Sequence, residues 1–392
     1  MSNLFSDDDI IYDDEGGTSE DFYDGGGETD FIEPEGLPEA RLNPLCLGHQ
    51  IEENLFLEMF KKNTLPHAMI FSGPDGIGKT TMAFRLARFL LKHGTQDDQQ
   101  DALFGAEEIE ADYNALAIAE DDPVFRKVGA GGHPNLLHIT RKDDTGKAGS
   151  NLKVDVIRKI EPFLRKTAAD GGWRIVIVED ADTMNNAAQN AILKILEEPP
   201  AKVIIILIAH RIGKLITTIR SRARVVQFRA LDSDVMAELL KKKNFHFSVM
   251  QMSQLHALSQ GSIGRALYYA EEDGLGMLDK ILYFLGCYPE WNWRDVHDLS
   301  SSLSGAAHEK SYRIFTEQLQ WVFRQLLFIK ARGGNDLPDY LQNRALEKIL
   351  RQSSLQRLVR ICDDLQDHFQ RVDFSNLDRR DAVRSSFLVI SQ

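Results

Sequence analysis

Gly73-Pro74-Asp75-Gly76-Ile77-Gly78-Lys79-Thr80 completes the pattern GxxxxGK[ST], a loop that wraps a polyphosphate in backbone N–H groups. Glycines at 73, 76 and 78 let the backbone close where a Cβ would collide. Lys79 is placed to reach β- and γ-phosphates, the Thr80 hydroxyl to ligate Mg²⁺, and Thr81 to open the following helix. The flanks agree with this reading. His67-Ala68-Met69-Ile70-Phe71-Ser72 reads as a buried strand and Thr81 to Leu91 as a helix, so the loop joins strand to helix. That context separates a phosphate loop from a glycine turn that merely packs.

At 392 residues the chain has room for two or three domains. Cys46, Cys287 and Cys362 are too widely spaced for a disulfide framework or a metal-ligand set, which fits a reduced cytoplasm. No basic, apolar leader opens the sequence. The longest wholly apolar run, Val203 to Ala209, is far too short to cross a bilayer, and no membrane partner is expected. The net charge of −13 is local. Residues 1–40 hold fourteen Asp and Glu with no Lys or Arg, and without those fourteen charges residues 41–392 stand at +1. The segment from Asp7-Asp8-Asp9 through Gly25-Gly26-Gly27 reads as an acidic disordered tail, because it has too little apolar surface to bury. Its functional alternative is a docking peptide anchored by Phe22-Tyr23 or Phe31-Ile32. A nearly neutral body means that nucleic-acid contacts have to come from local clusters, not from a global field.

From Leu42 onward short apolar runs alternate with helical patterns, the signature of βαβ units and a parallel sheet. Ile51 to Lys61 reads as a helix. Leu136 to Ile139, Arg174 to Val178 and Val203 to Ile208 read as buried strands, and Asp155 to Lys166 as one helix. Residues 93–134 are rich in Asp, Glu, Gln and Ala and read as an insertion with at most one short helix. Past Phe228 the strands stop. Asp232-Ser233-Asp234 is expected to cap a helix to about Lys243, followed by helices over 248–258 and 264–272, and the chain reads as helical from Leu278 to its end. Two apolar stripes, Tyr312-Phe315-Leu319-Val322-Leu326-Ile329 and Leu355-Leu358-Cys362-Leu365-Phe369-Val372, call for partner helices, inside a bundle or in another subunit.

A phosphate loop needs an acid at the end of a neighbouring strand to position the metal. Glu179-Asp180 follows Arg174 to Val178 and supplies it, with Glu179 at the Mg²⁺ position and Asp180 at the position that orients water. The usual order is the reverse. Each side chain is wrong by one methylene for its task, and a misplacement on the order of 1 Å can cost about 10²-fold in rate. Two arginines recur in motif-like settings, Ser221-Arg222-Ala223 and Gly261-Ser262-Ile263-Gly264-Arg265. An arginine that reaches a neighbour's γ-phosphate offsets transition-state charge; on spacing alone, either is equally a surface ion pair.

The stretches LPHAMIFSGPDGIGKTT, GGWRIVIVEDADTMNNAAQNAILKILEEPP and TTIRSRA resemble the clamp-loader AAA+ family. Within it, GGHPNLLHI, KVDVIRKI and FSNLDRRDAV are most similar to the delta-prime family of bacterial DNA polymerase III in its alphaproteobacterial form, over about residues 42–392. The resemblance implies an α/β AAA+ P-loop domain with a parallel sheet (41–230), a small helical lid (231–276) and an all-helical collar (277–392). It implies ATP and Mg²⁺ as cofactors, with Gly73, Gly78, Lys79 and Thr80 in the phosphate loop and Glu179-Asp180 as degenerate Walker B acids. Arg222 matches the finger that enters the neighbouring subunit's ATP site, and Arg265 the lid arginine. The expected partners are the other subunits of a hetero-pentamer, the sliding clamp and primer–template DNA. The implied work is assistance in loading the clamp, as part of a DNA-directed DNA polymerase assembly.

Three departures from the family pattern matter. Ala223 stands in place of a cysteine. The 93–134 segment lacks the zinc-ligating cysteines of many relatives, so no zinc is expected. Ala209-His210 falls where a small hydroxyl is common. Damage at the hydrolytic positions beside an intact Ser221-Arg222 favours a stator that donates Arg222 in trans. The alternative is a hydrolysing motor subunit of the loader, or another replication or repair AAA+ ATPase.

Overall fold

The computed structural model describes residues 39–94, 113–141, 151–166, 171–375 and 377–391; the acidic tail and residues 95–112 of the insertion lie outside them. In chain order, the α/β part comprises α1 (Gln50–Lys61), β1 (Ala68–Ser72), α2 (Lys79–His93), α3 (Pro123–Gly129) and β2 (Leu136–Ile139). It continues with α4 (Val154–Ile157), α5 (Ile160–Arg165), β3 (Arg174–Val178), α6 (Asn186–Glu197), β4 (Val203–Ala209), α7 (Thr217–Arg220) and β5 (Arg224–Gln227). The strands form one parallel sheet in the order β2-β3-β4-β1-β5.

β1, β3 and β4 are buried along their whole length. Such strands are covered on both faces, which is why they read as continuous apolar runs. Alternate side chains serve two layers: Met69 and Phe71 join α1 and α2 on one face, while Ala68 and Ile70 join α6 on the other. Ser72 pairs with Ala209 and Gln227, so β1, β4 and β5 end level. The loops that leave this carboxyl edge are where α/β sheets place their ligands.

The described residues beyond β5 are helical: α8 (Ser233–Lys242), α9 (Val249–Ser259), α10 (Ile263–Glu271), α11 (Gly274–Gly286), α12 (Trp293–Ser302), α13 (Glu309–Ala331), α14 (Arg344–Gln352), α15 (Leu355–Ser375) and α16 (Arg379–Ser391). One apolar cluster runs from Met236 to Ile390 and joins α8, α9 and α10 to the helices that follow. The two stripes meet as α13 packs on α15. The second departs from expectation twice: Leu355 at its start is 43% exposed, and in its middle Ile361 is buried while Cys362 is half-buried.

Several sequence expectations need correction. β5 was not expected; only Val226 of its four residues is buried, so an edge strand this short shows no apolar run. The helix expected over 155–166 is two, α4 and α5, because Pro162 has no N–H to bond back to Arg158. Asp232 occupies the N-cap of α8 but makes no side-chain capping bond. The continuous helicity expected from Leu278 is interrupted around Pro289 and around Gly333-Gly334 and Pro338.

α2 also buries two cations. Arg85 donates to Glu53 Oε1 at 2.8 Å, and the same oxygen accepts the Leu116 N–H at 2.7 Å. Arg88 donates to the carbonyls of Arg41 and Asn43, both at 2.9 Å, and lies over Phe125. These bonds tie the entering chain to α2. Glu53→Ala would strand a buried guanidinium and an N–H, so a loss of about 3–5 kcal/mol is expected. Urea unfolding of variant and wild type measures it.

Candidate functional site

The loop after β1 adopts the backbone that its glycines allow. Gly73 and Gly76 have φ of +149° and +70°. A Cβ on Gly73 would strike the Phe228 carbonyl, and one on Gly76 the Ser262 hydroxyl. The loop is pinned from both sides: Phe228 N–H donates to Ser72 O at 2.7 Å, and Gly264 N–H at the start of α10 donates to Gly76 O at 3.1 Å. Gly78 caps α2, so the first N–H groups of that helix face the loop's interior, an anion-binding arrangement. Thr80 is half-buried and Thr81 buried at the same end.

Lys79, 3% exposed, turns back into the loop and donates to Gly73 O at 2.7 Å. Burial pushes its ammonium down to about 8, against the attraction of Asp75, Asp182 and Asp180. Beside it, a cleft is lined by Leu45, Cys46, Leu47, Ile77, Leu239 and Leu267. Burial pushes the Cys46 thiol up to about 12, so it lines this cleft as a neutral group. An N–H-lined loop next to an apolar cleft suits a ligand with a polyphosphate at one end and a flat ring at the other.

The acids after β3 are engaged. Glu179 Oε1 stands 3.1 Å from His138 Nε2 of β2, outside hydrogen-bond alignment. Asp180, at φ +49°, accepts from Arg141 Nε at 2.7 Å and from His210 Nε2 at 2.8 Å. Burial raises its carboxyl, but His210 and Arg141 outweigh that and hold it down to about 2. Asp182 accepts the backbone N–H groups of His210 and Arg211 at 3.0 and 3.2 Å, a structural task. Sequence reasoning did not reach His138 and Arg141. His138 falls inside the stretch GGHPNLLHI and Arg141 two residues beyond it, but neither had a role assigned, and their place beside the acids follows from β2 pairing with β3.

The two arginines are elsewhere. Arg265 donates to Tyr269 Oη at 3.2 Å and stands 3.6 Å from Glu317 on α13; its guanidinium is engaged by these two, and the charge of Asp75 in the loop also acts on it. Arg222 precedes β5. Ser72 pairs with Gln227, five residues further along, which separates Arg222 from the phosphate loop by on the order of 15 Å along the strand. It is half-exposed, donates to Thr218 O at 3.1 Å and pairs with Glu197 at 2.9 Å. The geometry therefore unites Gly73, Gly76, Gly78, Lys79, Thr80 and Thr81, links Asp180 to Lys79 through His210, sets Glu179 against His138, and leaves Arg222 at the opposite sheet edge.

Residues 48–232, from the entering chain to the end of the sheet, match the family profile described as "DNA polymerase III, delta subunit". This region therefore resembles the delta-type subunits of DNA polymerase III. The chain is 33% identical over 156 residues to the DNA polymerase III subunit delta' of Pseudomonas aeruginosa (40% of this chain, 41% of that one). It is 28% identical over 207 residues to the Escherichia coli protein of the same name (53% and 55%). It is also 28% identical over 216 residues to the replication factor C small subunit of Staphylothermus marinus (54% and 52%). The chain thus spans about half the length of the relatives it matches. Among the described residues, no helix is long and apolar enough to cross a membrane.

The pairing of Asp180 makes a pH prediction. Its folded value of about 2 lies below the ordinary 3.8, so its contribution to stability is present above about pH 4 and is lost as pH falls through 2. The difference corresponds to about 2 kcal/mol. Asp180→Asn is expected to be less stable than wild type by about that amount near neutrality, with the two unfolding curves converging towards pH 2. Denaturant titrations across that range check it; a constant offset would refute the linkage.

Proposed function

We propose that this chain is a delta-prime-type, stator-like subunit of the clamp loader of bacterial DNA polymerase III, assisting ATP-dependent loading of the sliding clamp onto primed DNA. Its partners would be the other subunits of a hetero-pentamer, the clamp and primer–template DNA. It would be a cytoplasmic part of the DNA-directed DNA polymerase holoenzyme. Residues 41–230 would act as the AAA+ domain, 231–276 as lid and 277–392 as collar. The acidic tail (1–40) would be an appendage to this machinery.

The loop's backbone and the adjoining cleft fit Mg·ATP. Gly73, Gly76, Gly78, Lys79, Thr80 and Thr81 would hold the phosphates, and Thr80 and Glu179 the metal, which supplies charge neutralisation between phosphate oxygens. Arg265 would join them only after exchanging Glu317 for phosphate. Weak hydrolysis follows from the acids. Asp180 is held by Arg141 and His210, and so is poorly placed to orient water.

The observation that carries the stator reading is the position of Arg222. It stands half-exposed at the sheet edge opposite its own phosphate loop, where it can serve a neighbour's nucleotide but not its own. The complete phosphate loop favours a second reading, a motor subunit. Single-turnover ATP hydrolysis separates the two: the isolated chain is expected to hydrolyse barely above background, and a rate typical of AAA+ motors would establish the motor.

Arg222→Ala is expected to leave ATP binding at this chain's own loop and pentamer assembly intact. It should cut the assembled loader's clamp- and DNA-stimulated ATPase, by up to the order of 10³–10⁵ if every hydrolysing site uses this finger and less if one of several does. Arg222→Lys should rescue little, because an ammonium lacks the planar fork. Lys79→Ala should leave the neighbour's hydrolysis nearly unchanged. Reconstituted pentamers carrying Arg222→Ala with wild-type turnover would make Arg222 a structural arginine.

A further inference from the structure

A lysine ammonium has three N–H donors and no acceptor. All three of Lys79 are committed within the chain, to Gly73 O at 2.7 Å, Pro74 O at 2.5 Å and His210 Nδ1 at 3.1 Å. A phosphate that binds Lys79 therefore has to displace one of them. Gly73 and Pro74 offer carbonyls of the loop itself. His210 offers a side-chain nitrogen, and a side chain moves by rotation between rotamers without disturbing the cradle.

The neighbours also fix the state of the ring. An ammonium only donates and an ionised carboxylate only accepts. Nδ1, facing Lys79, thus carries the lone pair, while Nε2, 2.8 Å from Asp180 Oδ1, carries the hydrogen. Neutral His210 bridges the loop's cation to the acid after β3 and is satisfied at both ends. Its backbone N–H is held by Asp182 at 3.0 Å, so the bridge is anchored to the end of β4. Asp75 Oδ1 lies 3.6 Å from Nδ1, beyond hydrogen-bond distance, and is 45% exposed.

We propose that His210 is a positioning residue that locks the nucleotide site, holding the third donor of Lys79 and yielding it only to a phosphate that displaces the ring. The proposal rests on the nucleotide-binding reading of the loop. It has two consequences. The ring competes with the ligand, so His210 lowers affinity for ATP. When it leaves, it takes its bond to Asp180 with it, so arrival of phosphate at Lys79 frees an oxygen of the acid. The loop and the strand acid are coupled through one side chain.

Calorimetric titration of the full chain with Mg·ATP tests this, with thermal unfolding of each variant as the check on folding. His210→Ala removes both bonds and is expected to bind about tenfold more tightly, the scale of one hydrogen bond to a charged group. His210→Asn keeps an acceptor near the Nδ1 position but is too short to reach Asp180, so its affinity should fall between. Combining Lys79→Ala with His210→Ala should erase the gain, a result that a merely structural role for His210 does not produce. Unchanged or weaker binding by His210→Ala, with Lys79→Ala still impaired, overturns the lock and leaves the nucleotide reading standing. Absence of binding by wild type and every variant overturns both. If His210→Ala fails to fold, the same comparison is made with His210→Asn.

Discussion

A parallel strand buried on both faces has little room for a polar side chain between its end residues, so its chemistry is displaced to the residues that follow its last ladder bond. The whole site obeys this constraint. β1 ends at Ser72 and releases the phosphate loop; β3 ends at Val178 and releases Glu179-Asp180; β4 ends at Ala209 and releases His210. β2, buried only at its last residue, is the exception: it carries His138 within the strand and places Arg141 two residues beyond it. Level strand ends then bring side chains far apart in sequence within hydrogen-bond reach of each other.

Crowding them creates an electrostatic problem that the chain solves internally. Desolvation lowers the affinity of Lys79 for its proton and would raise that of Asp180. The charge of Arg141 and hydrogen bonds from Arg141 and His210 favour the ionised acid, and three nearby aspartates favour the charged lysine. A site balanced in this way pays little for standing ready, but each of its charges already has a partner. Ligand binding becomes an exchange of partners, whose net gain is smaller than the gross attraction between ammonium and phosphate.

The phosphate loop and the three central strands were legible because each is a local pattern: glycine spacing in one case, continuous apolar runs in the other. The helical stripes of α13 and α15 were legible for the same reason, through the period of their buried residues. What escaped was non-local or short. β5 has one buried residue in four and takes its conformation from pairing with β1. Arg141 and His138 matter only because β2 lies beside β3, an adjacency that periodicity does not encode. His210 was visible as a departure from a hydroxyl, but its bond to Lys79 spans 131 positions of chain.

In the proposed reading one domain contributes to two sites, and the sheet fixes how far apart its two contributions stand. The phosphate loop leaves the carboxyl edge, while Arg222 stands before the first residue of β5 at the amino edge, beside the carboxyl end of α6 that carries Glu197. Four ladder pairs between β1 and β5 fix that separation, so no side-chain rotation brings Arg222 to its own loop. An exposed ion pair such as Arg222–Glu197 contributes at most about 1 kcal/mol. It orients the guanidinium without committing it, and in the proposed assembly a neighbour's polyphosphate would outcompete a single carboxylate for the same fork. Rigid separation from the phosphate loop, with only a weak ion pair holding the guanidinium, is the geometry that the proposed action on a neighbour's nucleotide would require, whether or not this chain hydrolyses its own.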